Sequence, residues 1–143
     1  MLADAYVLHE LTIGSGLDVG PFHMRTRLLP HWLPNAGVRL TAGGPVLAYT
    51  GDTGPSHGVA DLAREADLLL AEATYVDQVP EDSADYLSSA RQQGRQAAAA
   101  GVRRLLLTHL APGTDPAAAQ AAARDGYRGD AGVATAGLVL DLG

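Results

Sequence analysis

The first third of the chain consists of short runs in which apolar residues dominate or alternate with polar ones, bounded by glycine and proline. Such runs are typical of strands. Four of them cover residues 5–13, 22–29, 37–42 and 45–49. The pattern therefore predicts about four antiparallel strands over residues 4–50. Residues 30–34 (PHWLP) should form a loop, because proline does not fit a central strand.

After residue 50 the pattern changes to helices alternating with apolar strands. Helices are predicted near residues 58–65, 86–100 and 116–125, the last because Asp115 and Pro116 favour a helix start. Apolar strands should end at Glu72 and at His109, and the last strands should form a hairpin about Ala136-Gly137. This alternation predicts an α/β fold in a single domain over 1–143, with helices on one face of a mixed sheet.

Composition excludes several classes of protein. The 143 residues are 47% apolar, carry a net charge of −6 and include no cysteine, so neither a disulfide framework nor a cysteine-based zinc site is expected. The longest basic run is Arg103-Arg104, which argues against a built-in nucleic-acid surface but not against a small phosphorylated substrate. The acidic start and the absence of any long apolar segment make a cytoplasmic location the expectation.

Three predicted strands end in side chains that can do chemistry: Asp52, Glu72 and His109. Taken alone, Asp52 is typical of a turn and His109 of a hydrogen-bonded core residue. Taken together, two strand ends on one edge of a sheet would place a carboxylate beside an imidazole. Such a pair suits Zn²⁺ or Mn²⁺.

Three further stretches carry a resemblance to a known family. They read LAYTGDTG, ADLLLAEATY and AGVRRLLLTHLAP, in that order along the chain. They resemble the second half of a metallo-β-lactamase-fold hydrolase, in particular of the ribonuclease Z-like phosphodiesterases. The loop PHWLPNAGVR is similar to the His-x-x-Pro-x-x-Gly-x-Arg loop of that branch, and the resemblance runs from about Phe22 to Gly143.

The resemblance implies both a fold and a site. The chain would be the C-terminal half of an αββα sandwich with two zinc or manganese ions at its edge. Asp52 would be the catalytic residue that bridges the metals, and His109 would bind one of them. Glu72 would orient these ligands, and His31 would flank the site without binding metal. A metal-activated hydroxide would attack a phosphodiester or a related ester.

The chain departs from the family pattern in three places. One is a family histidine between the ligand sets of the two halves, which has no counterpart here. The family's His-x-His-x-Asp-His motif is absent, and the five histidines (9, 23, 31, 57 and 109) are too far apart to form one. Tyr86 or Leu87 occupies the place of the histidine that donates a proton. Because a catalytic zinc normally has three protein ligands, we expect weak or absent metal binding and an inactive isolated chain.

Three interpretations remain open. The chain is a part of a hydrolase whose other half lies elsewhere, or it is a non-catalytic module that forms a homodimer. In both cases a partner must cover the sheet face that bears no helices. A weaker alternative is a haloacid dehalogenase-like phosphatase, which GDTG also resembles. That family needs an Asp-x-Asp motif after an early strand, and the chain has none.

Overall fold

Seven strands form one sheet whose order follows their order in the chain. The computed structural model describes residue 7 and residues 9–142. The first four strands pair antiparallel and the last four pair parallel, β4 belonging to both groups. The predicted mixed sheet is thus confirmed. The strands are β1 (Gly16–Val19), β2 (Phe22–Leu29), β3 (Asn35–Thr41), β4 (Val46–Tyr49), β5 (Leu68–Glu72), β6 (Arg104–Thr108) and β7 (Asp130–Val133).

Three α-helices connect the parallel strands: α1 (His57–Ala63), α2 (Ala90–Ala100) and α3 (Pro116–Gly126). The Asp115 side chain accepts a hydrogen bond from the amide of Ala117 and caps α3, as the sequence predicted. The first and third helices lie within two residues of their predicted bounds. The predicted start of the second helix at residue 86 is wrong: Ser89 and Gln92 form a capping box there, so α2 begins at Ala90.

The core lies between the helices and one face of the sheet. Leu69, Leu105 and Leu107 are fully buried on that face, and the helices contribute mostly alanines. Small side chains bring α2 and α3 close together. A Cβ added at Gly94 would lie 2.1 Å from the carbonyl oxygen of Ala123. The predicted single layer of helices is therefore confirmed, and the tightest helix contact depends on glycine at position 94.

The opposite face of the sheet bears exposed apolar side chains. The strand register places them on the side away from Leu29 and Ala48, which face the helices. We call this surface the open face, and it is defined by Leu17, Val19, Phe22, Leu28 and Tyr49, all exposed. These five side chains are 40–59% exposed.

Two predicted strands are absent from the described residues. The predicted strand over residues 5–13 is wrong at residue 7 and at residues 9–13, which form no strand. Residues 1–6 and residue 8 lie outside the described part of the chain. The first strand forms later, in the glycine-rich stretch, because Gly20 adopts a positive φ (57°) and permits the β1–β2 hairpin. The closing hairpin is also wrong: Gly137 makes a turn, but residues 138–142 pair with no strand.

No helix in the described residues is long and apolar enough to cross a bilayer. The cytoplasmic location itself stays a prediction.

Candidate functional site

Asp52 lies in the turn that follows β4. Asn35 holds this turn by donating hydrogen bonds from Nδ2 to the carbonyls of Thr50 (2.8 Å) and Asp52 (2.9 Å). Gly51 adopts a positive φ of 60°, and a Cβ there would lie 2.5 Å from Asn35 Oδ1. The glycine before Asp52 is therefore required both by backbone conformation and by the close approach of Asn35.

His109 follows β6 and lies directly beside Asp52. The distance between His109 Nδ1 and Asp52 Oδ1 is 3.2 Å, and both side chains are partly exposed. His109 adopts a φ of 56°, in the left-handed region, which is uncommon for a residue other than glycine. The prediction that these two strand ends meet at one edge of the sheet is confirmed.

Glu72 lies beneath this pair and is almost completely buried. Its Oε2 accepts hydrogen bonds from the amide (2.9 Å) and the hydroxyl (3.0 Å) of Thr74, and its Oε1 accepts one from the amide of Ser88 (2.5 Å). Burial raises the pKa of the Glu72 carboxyl, and these hydrogen bonds oppose the rise. Thr74 Oγ1 lies 3.2 Å from His109 Nδ1, so Glu72 is connected to the histidine through Thr74.

The segment 85–88 packs against the turn that carries Asp52. Ser88 donates a hydrogen bond from Oγ to the carbonyl of Thr53 (2.7 Å). A Cβ added at Gly54 would lie only 2.3 Å from the carbonyl oxygen of Asp85. The second glycine of GDTG is therefore required because two backbone segments touch.

The loop 30–34 completes this side of the site. His31 Nδ1 lies 2.9 Å from the carbonyl oxygen of Tyr86, and the ring of Trp32 stacks on that of Tyr86 with centroids 5.0 Å apart. The amide of Gly54 donates a hydrogen bond to the carbonyl of Pro30 (3.0 Å). His31 thus flanks the site, as predicted, and Tyr86 faces Trp32.

Comparison with known proteins identifies the family. A family described as "Beta-lactamase superfamily domain" matches residues 3–110, three quarters of the chain. A crystal structure of the metallo-β-lactamase fold protein YhfI from Bacillus subtilis superimposes with a TM-score of 0.84 at 26% identity, over 90% of this chain and 53% of that one. The chain belongs to the metallo-β-lactamase superfamily.

Relatives with similar sequences place it near the ribonuclease Z branch of that superfamily. Ribonuclease Z of Myxococcus xanthus is 39% identical over 99 residues, which are 67% of this chain and 32% of that protein. An uncharacterized protein of Mycobacterium leprae is 31% identical over 141 residues, 98% of this chain and 49% of that protein. The chain thus spans between a third and a half of the length of these curated relatives.

A metallo-β-lactamase site holds metal, and Asp52 and His109 fit part of one. Two donors bound to a tetrahedral zinc at about 2.0 Å lie roughly 3.3 Å apart. The 3.2 Å between Asp52 Oδ1 and His109 Nδ1 matches this separation. Among the residues that the structure describes, however, no group of three or more histidine, cysteine or acidic side chains is placed to hold an ion. The pair therefore offers two donor side chains, fewer than the three protein ligands of a catalytic zinc.

Two residues of the site were not predicted from the sequence: Asn35 and Thr74. Asn35 follows a proline at the start of a strand, where a polar residue is ordinary. Thr74 comes two residues after Glu72, and this spacing was the available signal, because a threonine two residues after a strand-end acid can bond back to it. Both act through neutral polar contacts and not through charge. Asn35 holds the backbone carbonyl of Asp52, and the Thr74 hydroxyl lies beside the His109 ring.

Proposed function

We propose that this chain is one part of a metal-dependent hydrolase of the ribonuclease Z type, with Asp52 and His109 as metal ligands and Asp52 as the catalytic bridge. The observation that carries the proposal is the 3.2 Å approach of Asp52 Oδ1 to His109 Nδ1. These residues come from turns after two different strands, so their meeting depends on the whole sheet. Two surface residues that met by chance would not depend on the sheet in this way.

The backbone of His109 supports this assignment. A left-handed φ for histidine costs free energy, about 1 kcal/mol or more, and persists only where the surroundings impose it. Two contacts surround His109. Thr74 Oγ1 lies 3.2 Å from His109 Nδ1, and the amide of Ala111 donates a hydrogen bond to the carbonyl of Thr74 (3.2 Å). The structure thus maintains an unfavourable conformation at the residue that faces Asp52.

A complete site would need at least one more ligand from outside this sequence. When bound, zinc or manganese acts as a Lewis acid that makes water a nucleophile near neutral pH. This chain would hold the metal through Asp52 and His109, and the Thr74 hydroxyl, which donates a hydrogen bond to Glu72, lies beside the His109 ring. The proposed substrate is a phosphodiester, the class on which ribonuclease Z relatives act.

The isolated chain should therefore show little or no turnover of bis-p-nitrophenyl phosphate with added zinc or manganese. The wild type is compared with Asp52→Ala and His109→Ala, and with His57→Ala as an exposed histidine outside the site. We expect the same background rate in all four proteins. Metal-dependent turnover that only the two site substitutions abolish would show a complete site in this chain alone, contrary to the incomplete set proposed.

The open face favours a second candidate function, a non-catalytic module that forms a homodimer. Its exposed apolar side chains need a partner, and a second copy offers the same surface. The test is light scattering at micromolar concentration with the double variant Phe22→Ser/Leu28→Ser. Val139→Ser, which alters an apolar residue that is 88% exposed outside the open face, is the control. A monomeric wild type would exclude the homodimer and leave the separate second half as the partner.

A further inference from the structure

A groove at the C-terminal end of α1 has an unusual concentration of positive charge. Its volume is about 670 Å³, and it holds four of the ten basic residues of a chain whose net charge is −6. Its charged lining consists of Arg25, Arg27, Arg39, Arg64, Asp61 and Glu65. The lining therefore carries a surplus of two positive charges. We call it the arginine groove.

Two of these arginines are direct cross-strand neighbours. Arg25 on β2 pairs in register with Arg39 on β3, on the face that also bears the helices. Like charges opposite each other in a sheet are destabilising. Burial, and then the charge of Arg25, lower the pKa of the Arg39 guanidinium, while the charges of Asp67 and Glu65 oppose this shift. The sheet thus tolerates a repulsive pair at the floor of the arginine groove.

The acids of the groove offset this pair only in part: the charges of Glu65 and of nearby Asp67 act favourably on Arg39, but the lining keeps a surplus of two positive charges. The Asp61 carboxylate forms ion pairs with Arg27 (2.9 Å) and Arg64 (3.0 Å). Arg39 donates from Nη1 to the carbonyls of Leu62 (2.8 Å) and Arg64 (2.9 Å), which fixes the direction of its guanidinium. Within residues 9–142, no acidic side chain forms an ion pair with Arg25.

We propose that the arginine groove binds a small phosphorylated molecule through Arg25 and Arg39. Guanidinium groups bind phosphate oxygens in a bidentate manner, and two that line the same groove from neighbouring strands match a doubly charged phosphate. The volume lies within the usual range of small-molecule sites. A bound dianion would neutralise the surplus charge and turn the repulsive Arg25–Arg39 pair into two favourable contacts.

This binding site is separate from the Asp52 site. Asp52 precedes the N-terminus of α1, whereas the groove is lined by residues from its last turn and beyond, Asp61 to Glu65. Neither Asp52 nor His109 lines it. The ligand would therefore bind without contact to the proposed metal ligands, and its binding can be measured with metal removed.

The test is calorimetric titration with pyrophosphate in the presence of EDTA, using the wild type, Arg25→Gln and the matched control Arg128→Gln. Arg128 is exposed and lies outside the groove. We expect one pyrophosphate per chain, about tenfold weaker binding in Arg25→Gln, and unchanged binding in Arg128→Gln. Without ligand, Arg25→Gln should unfold at the same temperature as the wild type or up to about 4 °C higher, because the repulsion is removed.

Five results would overturn the proposal. The first three are no binding by the wild type at about 10 mM pyrophosphate, equal weakening in both variants, and binding of citrate as tight as that of pyrophosphate. The fourth is a lower unfolding temperature for Arg25→Gln, which would make Arg25 a structural residue. Binding of a single-stranded RNA in preference to pyrophosphate would also contradict it, since the proposed ligand is a small molecule.

Discussion

The parallel and antiparallel parts of the sheet differ in how completely they are covered. In the parallel part, β5 and β6 bury Leu69, Leu105 and Leu107 fully under the helices. In the antiparallel part, β1 and β2 expose Leu17 and Leu28 on the open face. Both site residues, Asp52 and His109, follow strands of the parallel part. On the face away from the helices, Leu70 and Leu106 of the parallel part are half-buried, so the part that carries the candidate chemistry exposes its apolar residues less than β1 and β2 do.

The difference suggests separate roles for the two parts. Burial on one side and short turns at the strand ends fix the positions of Asp52 and His109 within this chain. The antiparallel part contributes loop 30–34 to the site but leaves its apolar surface exposed, and the proposed function assigns the cover of that surface to a partner. Stability and site geometry should therefore be intrinsic to the chain, and catalysis should depend on the partner.

The largest loss of stability should come from a substitution in the core of the parallel part. Leu105→Ala removes a fully buried side chain and should lower the free energy of unfolding by about 2–5 kcal/mol. Leu28→Ala, at a position that is 59% exposed, should change it by about 0.5 kcal/mol or less in a monomer. Urea denaturation measures both. Equal losses would contradict the assignment of stability to the parallel part.

A smaller loss of stability is expected where the turn after β4 touches segment 85–88. Gly54→Ala would force a Cβ to 2.3 Å from the carbonyl oxygen of Asp85, so we expect a loss of about 1–3 kcal/mol. Gly132→Ala in β7 is the control, since its Cβ would meet only the Leu106 side chain at an ordinary 3.5 Å. Thermal unfolding compares the two variants. A Gly54→Ala protein as stable as the control would contradict the close contact between the turn and segment 85–88.

Much of the parallel part could be predicted from the sequence, because β5 and β6 are continuous apolar runs and Asp115-Pro116 marks the start of α3. The meeting of Asp52 and His109 followed from those strand ends alone. The antiparallel part was harder: Leu11 and Ile13 alternate with polar residues as in a strand, yet residues 9–13 lie outside the sheet. The hydrogen bonds of Asn35 and Thr74 depend on loops meeting in three dimensions, which no local pattern encodes.

The smallest effect concerns pH and Glu72. Because burial raises its pKa in the folded state, protonation favours folding, and this contribution is present below the unfolded value near 4.5. It is lost as the pH rises from 4.5 through the raised folded pKa. Glu72→Gln removes the titration, so the stability of the wild type relative to this variant should decrease over that interval. A difference that increases with pH would show that the hydrogen bonds to Glu72 outweigh its burial.

The central claim is that Asp52 and His109 form a metal-binding pair that this chain alone leaves incomplete. Its most direct test is a zinc titration of the purified chain, followed by competition with a chelating dye, for the wild type, Asp52→Ala and His109→Ala. His57→Ala serves as the control. We predict weak binding of about one zinc per chain, micromolar or weaker, that both site substitutions abolish and His57→Ala retains. Zinc binding that is equal in all four proteins would contradict the claim.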